Sequence, residues 1–453
     1  MPDDTPRRLR PHGSTISPTP SRSPRMSRSR RLTVASAVTA LALVAGCGGG
    51  ESDARGEDGS VTITMGLFGV MGYAETDLLD RYMAENPNVT IEAEVAGDEQ
   101  TYYTALQTHL AGGSGLKDIQ GIEIGRAQEM VETQADKFAD FAGMAGTDHF
   151  LPWKQPQVTT DDGRMIGLGT DTGPMAICYR KDMFEQAGLP TEREDVAALW
   201  ADDWSQYVEV GEQFMADSAD GELSYMDSST GLFNGMVYGH SEQFYNADGD
   251  LIHDENPAVA DAWDLATEAA ESGMTAALRQ FQPGWDPGLA NSTFATTVCP
   301  AWMLAHIQEK AGPDNAGLWD VTPAPQGANW GGSFLGVMED SPVRDEAMEL
   351  VAWLTAPEQQ IYLFEELGIF PSSQEAIESE AVRSGTSEYF DGAPVGEIFG
   401  AAAQEIPAEQ VLGRRDGTIK DAFSQGLQQV ESQGEDPDAA WDSVDENIQR
   451  VAG

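Results

Sequence analysis

Lysine is scarce in this chain, with six among 453 residues, and basic residues of both kinds number 26 against 75 acidic ones, for a formal net charge of −49. The deficit deepens beyond residue 46, because the first 46 residues hold eight of the arginines and only two of the acids. A surface that repels phosphate gains no counterion-release affinity, so DNA, RNA and anionic lipid are poor partner candidates. Such acidity fits a surface adapted to a saline setting, or simply an acidic secreted protein. Cysteine stops at three residues and no CxxC pair exists, which excludes the common zinc and redox motifs. None of the six histidines (His12, His109, His149, His240, His253, His306) falls in HExxH or another metal-ligand spacing, so no metal is expected. A nucleophile elbow is missing too, since Gly331-Gly332-Ser333 runs on into Phe334 and Leu335. Gly167-Leu168-Gly169 lacks the third glycine of a dinucleotide loop. Asn246 to Asp250 reads as a turn, because a calcium loop would need its first ligand at Phe244. No cofactor and no catalytic residue is expected. Paired carboxylates would suit glycoside hydrolysis, but in so acidic a chain they arise by chance.

What is present can fold. Hydrophobic residues make up 40% of the chain, with ten Trp, eleven Tyr and sixteen Phe, and the length accommodates two domains with sizeable cores. Residues 1–25 are Pro, Ser and Arg without apolar periodicity, and Met26 is an alternative start of translation. Arg28, Arg30 and Arg31 then precede an apolar stretch from Leu32 to Ala45, short for a bilayer span and typical of an export signal. It ends in Val44-Ala45-Gly46-Cys47, which resembles a bacterial lipobox, an ordinary cleavable signal being the alternative. The expectation is an export segment over 1–46, lipidation at Cys47, and a flexible tether over 47–60. The protein would then be held on the outer face of the cell membrane by its lipid. Outside the membrane the remaining thiols, Cys178 and Cys299, are expected to form a disulfide.

Val61, Ile63, Met65 and Leu67 alternate as a strand does, and Val89, Ile91, Ala93 and Val95 repeat the pattern. Helical spacing separates them at Leu78, Leu79, Tyr82 and Met83, and again at Tyr103, Leu106 and Leu110, before a third strand over 118–124. Strand and helix alternating with short connections imply a parallel sheet covered on both sides, with ligands beyond the carboxyl ends of its strands. A second α/β unit follows Leu168. It has strands at Ile177-Cys178 and from Phe294 to Cys299, and helices packing through Trp204, Tyr207 and Phe214 and through Val259, Trp263 and Ala266. Trp263 and Trp353 fall on apolar helix stripes and are assigned to cores.

Several segments, in order, resemble the extracellular solute-binding lipoproteins of carbohydrate ABC importers, the family that includes maltose-binding protein. The nearest look is to actinobacterial proteins for cello- and chito-oligosaccharides. The segments are YYTALQTHLAGGSGLKDIQGIE (102–123), GLGTDTGPMAICYRKDMFEQAGLPTERE (167–194), FATTVCPAWML (294–304), NWGGSFLGV (329–337), GAPVGEIF (392–399) and DGTIKDAFSQGL (416–427). The resemblance implies a two-lobed α/β fold of the periplasmic-binding-protein type, with several hinge crossings and a sugar cleft between lobes. Lobe 1 is expected over 61–168 plus about 338–368, and lobe 2 over 171–332 plus about 371–453. Crossings would fall near Leu168 to Asp171, Gly332 to Met338 and Gly368 to Pro371. The function implied is oligosaccharide capture (cello-, chito- or xylo- type) by a monomer that delivers its ligand to membrane permease subunits. A secreted glycoside hydrolase and a sugar sensor for a signalling partner are the alternatives.

A pyranose has an apolar C–H face and a rim of hydroxyls, so its binder needs flat aromatics together with charged or amide groups. Trp302, just past a strand end, is the expected stacking platform, and core packing is the competing reading. Trp330, among glycines in a loop without period, and Trp285, after Pro283-Gly284, follow the same logic, Trp330 having the rival role of an interface plug. Asp171 and Glu123 are expected to accept bonds from sugar hydroxyls, against the plainer reading of a helix cap or solvated turn. Phe68, Asp227, Asn234 and Phe399 complete the expected ligand-binding set, as residues of segments that the family uses to line its cleft.

Overall fold

The strand periods at the start of the body are realised as β1 (Val61–Phe68), β2 (Val89–Ala96) and β3 (Ile119–Glu123), which pair in parallel in the order β2-β1-β3. The computed structural model describes residues 54–452 apart from 57, 202 and 218–222, so the export segment, Met26, Cys47 and most of the tether lie outside the described residues. The sheet does not stop at three parallel strands, as the alternating pattern implied. β4 (Leu168–Gly169) and β9 (Ser333–Val337) extend it antiparallel, giving the order β2-β1-β3-β9-β4. The segment from Gly332 to Met338, expected as a crossing, is therefore mostly a strand of the first sheet. Its five residues are all buried because it is sandwiched between β3 and β4. Leu335 and Val337 face one core together with Ile63, Met65 and Leu67, and Phe334 faces the other together with Ile122 and Ile166. Both faces are covered, as a mixed sheet within an α/β lobe requires.

The second sheet runs β6-β7-β5-β8, from Ser224–Met226, Phe294–Pro300, Met175–Arg180 and Trp319–Pro323. All six residues of β5 are buried. Met175, Ile177 and Tyr179 join the core that holds Trp204, Tyr207, Phe214 and Trp263, while Ala176 and Cys178 join the opposite one. Cys178 and Cys299, on the adjacent strands β5 and β7, are joined by a disulfide with Cα atoms 5.8 Å apart.

The chain passes between the sheets over residues 170–174, 324–332 and about 368–372, and these three segments run side by side. Asp171 bridges Pro371, and Pro174 bridges Asn329. Thr170 N–H donates to the Ser333 carbonyl, Thr172 N–H to that of Phe370, and Trp330 N–H to that of Gly173. Gly331 and Gly332 take φ of +93° and +99°, a region that a side chain rarely tolerates. A Cβ on Gly332 would also stand 2.8 Å from the Asp171 carbonyl oxygen, so the close approach of two crossings needs glycine there.

Candidate functional site

Glu123 ends β3 and caps the helix Ile124–Gln134, its Oε2 accepting from Gly125 N–H at 2.7 Å. The cap reading is thus correct, and it leaves most of the carboxylate's capacity unused. Ile124 N–H is bound by the Gly332 carbonyl, which fixes this helix start to the second crossing. Across from it stands the N-terminal end of the helix Asp416–Gln433, so close that a Cβ on Gly125 would lie 3.9 Å from the Gly417 Cα. Lys420, on the first turns of that helix, puts its Nζ 4.9 Å from the Trp330 ring centroid and 5.1 Å from that of Tyr238. Burial pushes the Glu123 carboxyl up, with Lys420 opposing, and pushes the Lys420 ammonium down, with Glu123 opposing.

Lys154 is the third member of this group. It is wholly buried, its Nζ lies 3.9 Å from the Phe334 ring centroid, and it has no hydrogen-bond partner among the described residues. Burial lowers it to about 8, while the charges of Asp171 and Glu123 pull it back up. Asp171 accepts through Oδ1 from Ser333 N–H at 3.0 Å and from the Thr170 hydroxyl at 2.6 Å. One oxygen of the expected sugar acceptor thereby ties two crossings together. Asp416 closes the group. Its carboxyl accepts from Gly413 N–H at 2.9 Å, and burial pushes it up to about 7.

The aromatic side of the junction is built on the second sheet. Trp302 follows β7 and precedes the helix Met303–Ala311, as expected. Its indole N–H donates to the Trp330 carbonyl at 2.8 Å, and the two rings meet edge-on at 5.8 Å. Both pack against the cores of the second sheet with part of each residue left exposed. Trp302, Trp330, Glu123 and Asp171 therefore gather around the crossings.

The other five expected residues go elsewhere. Trp285 is fully buried, stacked on His306 at 5.3 Å, and its indole N–H donates to Asp227 Oδ2 at 2.9 Å. It is a core residue and offers no platform. Asp227 is likewise no cleft acceptor, because its oxygens are taken by Trp285, the Thr297 hydroxyl at 2.7 Å and Ser228 N–H at 2.8 Å. Asn234 is buried within the helix Ser229–Val237, whose other residues are nearly all buried as well. Phe399 packs on Phe370 at 6.1 Å with 1% exposure, and Phe68 packs on Tyr102 at 5.3 Å, so both rings serve cores. In each case the named side chain is turned inward.

Two residues escaped the sequence reading: Lys154 and Lys420. The lysines had one usable signal. In a chain with six lysines, two of them beside the same carboxylate stand out, so lysine scarcity marks these positions as well as the character of the surface.

A model of bacterial extracellular solute-binding proteins matches residues 77–386. A crystal structure of an extracellular solute-binding protein of family 1 is 37% identical, with a TM-score of 0.79, over 87% of this chain and 100% of that one. The lactose-binding protein of Rhizobium radiobacter is 26% identical over 73% of this chain and 78% of its own. The arabinooligosaccharide-binding protein of Bacillus subtilis is 21% identical over 70% and 74%.

Proposed function

Because the chain belongs to the bacterial extracellular solute-binding proteins, we propose that it is the oligosaccharide-capturing subunit of an ABC importer, taking cello-, chito- or xylo-oligosaccharides and passing them to a membrane permease. The observation that carries this reading is the meeting, at three adjacent crossings, of the edge-on tryptophans 302 and 330 with Glu123, Asp171, Lys154 and Lys420. A sugar supplies what this group lacks: a flat C–H face for the indoles, and hydroxyls that accept from the lysines and donate to the carboxylates. Two similar proteins named for lactose and for arabinooligosaccharides support the ligand class.

Capture works by closure. Glu123 stands on a segment of the first lobe, whereas Trp302 and Lys420 stand on the second, so a sugar touches all three only when the lobes are together. Ligand favours that state by its difference in affinity for the two. Cys47, once lipidated, would keep the protein at the outer face of the membrane, within reach of a permease.

Isothermal calorimetry against cello-, chito-, xylo-, malto- and arabino-oligosaccharides and lactose tests the proposal. Saturable binding of at least one of them is expected, with the sugar recovered intact afterwards. Silence across the whole panel, or release of new reducing ends, would refute it.

A further inference from the structure

The sequence leads to the expectation of a flexible tether up to Ser60, yet the chain is already docked at Ala54. Arg55 bridges Val61 in the antiparallel sense, Thr62 N–H donates to the Ala54 carbonyl and Gly56 N–H to that of Ser60, both at 2.9 Å. The segment thereby folds back on the start of β1. From there Arg55 reaches across to the helix Arg344–Leu354. Its Nη1 and Nη2 donate to the two oxygens of Glu346 at 2.6 and 2.7 Å, and its Nε donates to the Pro342 carbonyl at 3.1 Å. All three guanidinium nitrogens are engaged at one helix start, a fork that arginine offers and lysine does not. An exposed ion pair contributes little alone, but this one acts together with the backbone bonds above and with Ala54, which packs on the first-lobe core.

The clasp sits at the amino end of β1, whereas Glu123 and the junction lie beyond the carboxyl ends of β1 and β3. β1 has eight residues and is about 26 Å long, so the clasp marks the pole of the first lobe that lies away from the cleft. From Cys47 to Ala54 there are seven peptide steps, which span at most about 25 Å. With the cleft turned toward a bilayer, the docked end of the tether would stand above it by the length of β1 plus the loops beyond. That is out of reach. With the far pole turned toward the bilayer, the same seven steps suffice. Peeling residues 54–60 away extends the tether to Val61, about 50 Å at full stretch, and both orientations become accessible.

We propose that the Arg55 clasp makes the far pole of the first lobe the membrane-facing surface of the anchored protein, so that the cleft opens away from the bilayer until residues 54–60 are released. This rests on the reading of Cys47 as the lipidated residue. The bilayer is a neighbour held by the tether and not by the surface, because Asp340 and Asp345 are exposed at the same pole and repel anionic headgroups.

The test places a donor dye on one of two exposed positions: Asn88→Cys, whose backbone carbonyl accepts from Val61 N–H at the pole, or Val70→Cys, just beyond the carboxyl end of β1. The lipidated chain is carried on phosphatidylcholine vesicles with an acceptor on the headgroups. Energy transfer from the Asn88 position should exceed that from the Val70 position by about twofold or more, because the length of β1 separates them. Arg55→Glu sets two carboxylates against each other. In that variant the amides of Gly56 and Thr62 should exchange with deuterium faster and the two transfers should converge, while sugar affinity in solution keeps its wild-type value. Equal transfer from both positions with Arg55 intact overturns the inference, and so does a difference that survives in Arg55→Glu. Unchanged exchange in that variant also overturns it, since Arg55 would then have no part in the docking. A mature chain without lipid at Cys47, read by mass spectrometry, removes the anchor and this inference together. Failure to bind any sugar of the panel, with the two transfers differing as stated, removes only the proposed capture function.

Discussion

Two carboxylates expected to meet sugar, Asp227 fully buried and Glu123 partly exposed, have been put to opposite uses. In the second-lobe core, Asp227 is surrounded by neutral donors that it fully engages, and burial pushes it up to about 7. At the junction, burial also pushes Glu123 up, but there a single N–H is engaged and, among the described residues, the lysines nearby have no ion pair within contact distance. A buried polar group left unmatched is costly, so a protein keeps one only where something else completes it. Satisfaction, more than burial or charge, separates the acid that builds the fold from the acid proposed to meet a ligand.

The comparison can be broken at several points. The largest effect is expected at the disulfide, which belongs to the satisfied region. In the chain-entropy model a bridge over a sequence separation of 121 contributes about 4–5 kcal/mol before strain. A Cys178→Ser, Cys299→Ser protein should melt far lower yet bind sugar with wild-type affinity at low temperature. Titration of two free thiols in denatured, unreduced wild-type protein would refute the bridge.

Asp227→Ala comes next. It strands the Trp285 indole and the Thr297 hydroxyl and should cost about 2–4 kcal/mol of stability in urea titrations. The pH arm is more specific. The folded carboxyl titrates at about 7 against 3.8 for the free group, so its contribution is complete below pH 4 and disappears as the pH rises through 7. Asp416 titrates over the same interval, so the readout is a difference. The fall in melting temperature from pH 5 to 7 should be shallower in Asp227→Asn than in wild type.

Trp302→Ala should leave circular dichroism and melting intact while weakening sugar binding by about 2 kcal/mol, the scale of a lost aromatic anchor. The smallest effect belongs to Glu123→Gln, which keeps the helix cap through the amide oxygen. It should reduce sugar affinity by about 1 kcal/mol with no loss of stability. A drop in melting temperature as large as that of Asp227→Ala would erase the distinction between the two acids.

Much of the fold was legible because its information is local. The alternation of Val61 to Leu67 and of Val89 to Val95 specifies strands, and the apolar spacing between them specifies the covering helices. What stayed illegible is pairing over distance. β4 has two residues, and the registers Ile122 with Phe334 and Leu168 with Leu335 join segments far apart in sequence, so no local period announces them. The site divides the same way. Trp302 could be placed because a strand running into a helix marks it, whereas Trp285 and Trp330 share a Gly-rich setting. Only the bond from Trp285 to Asp227 tells the core ring from the open one.

The position of β9 in the first sheet bears on the order in which the molecule can assemble. Read from its amino-terminal end, the chain lays down β1 to β4 and then all four strands of the second sheet before β9 arrives to sit between β3 and β4. A growing or translocating chain can therefore complete the second sheet early, while the first waits with a gap at its middle and the edges of β3 and β4 unpaired. Closing that gap is a late contact of high sequence separation, the kind that sets folding speed and leaves strand edges open to wrong partners in the interval.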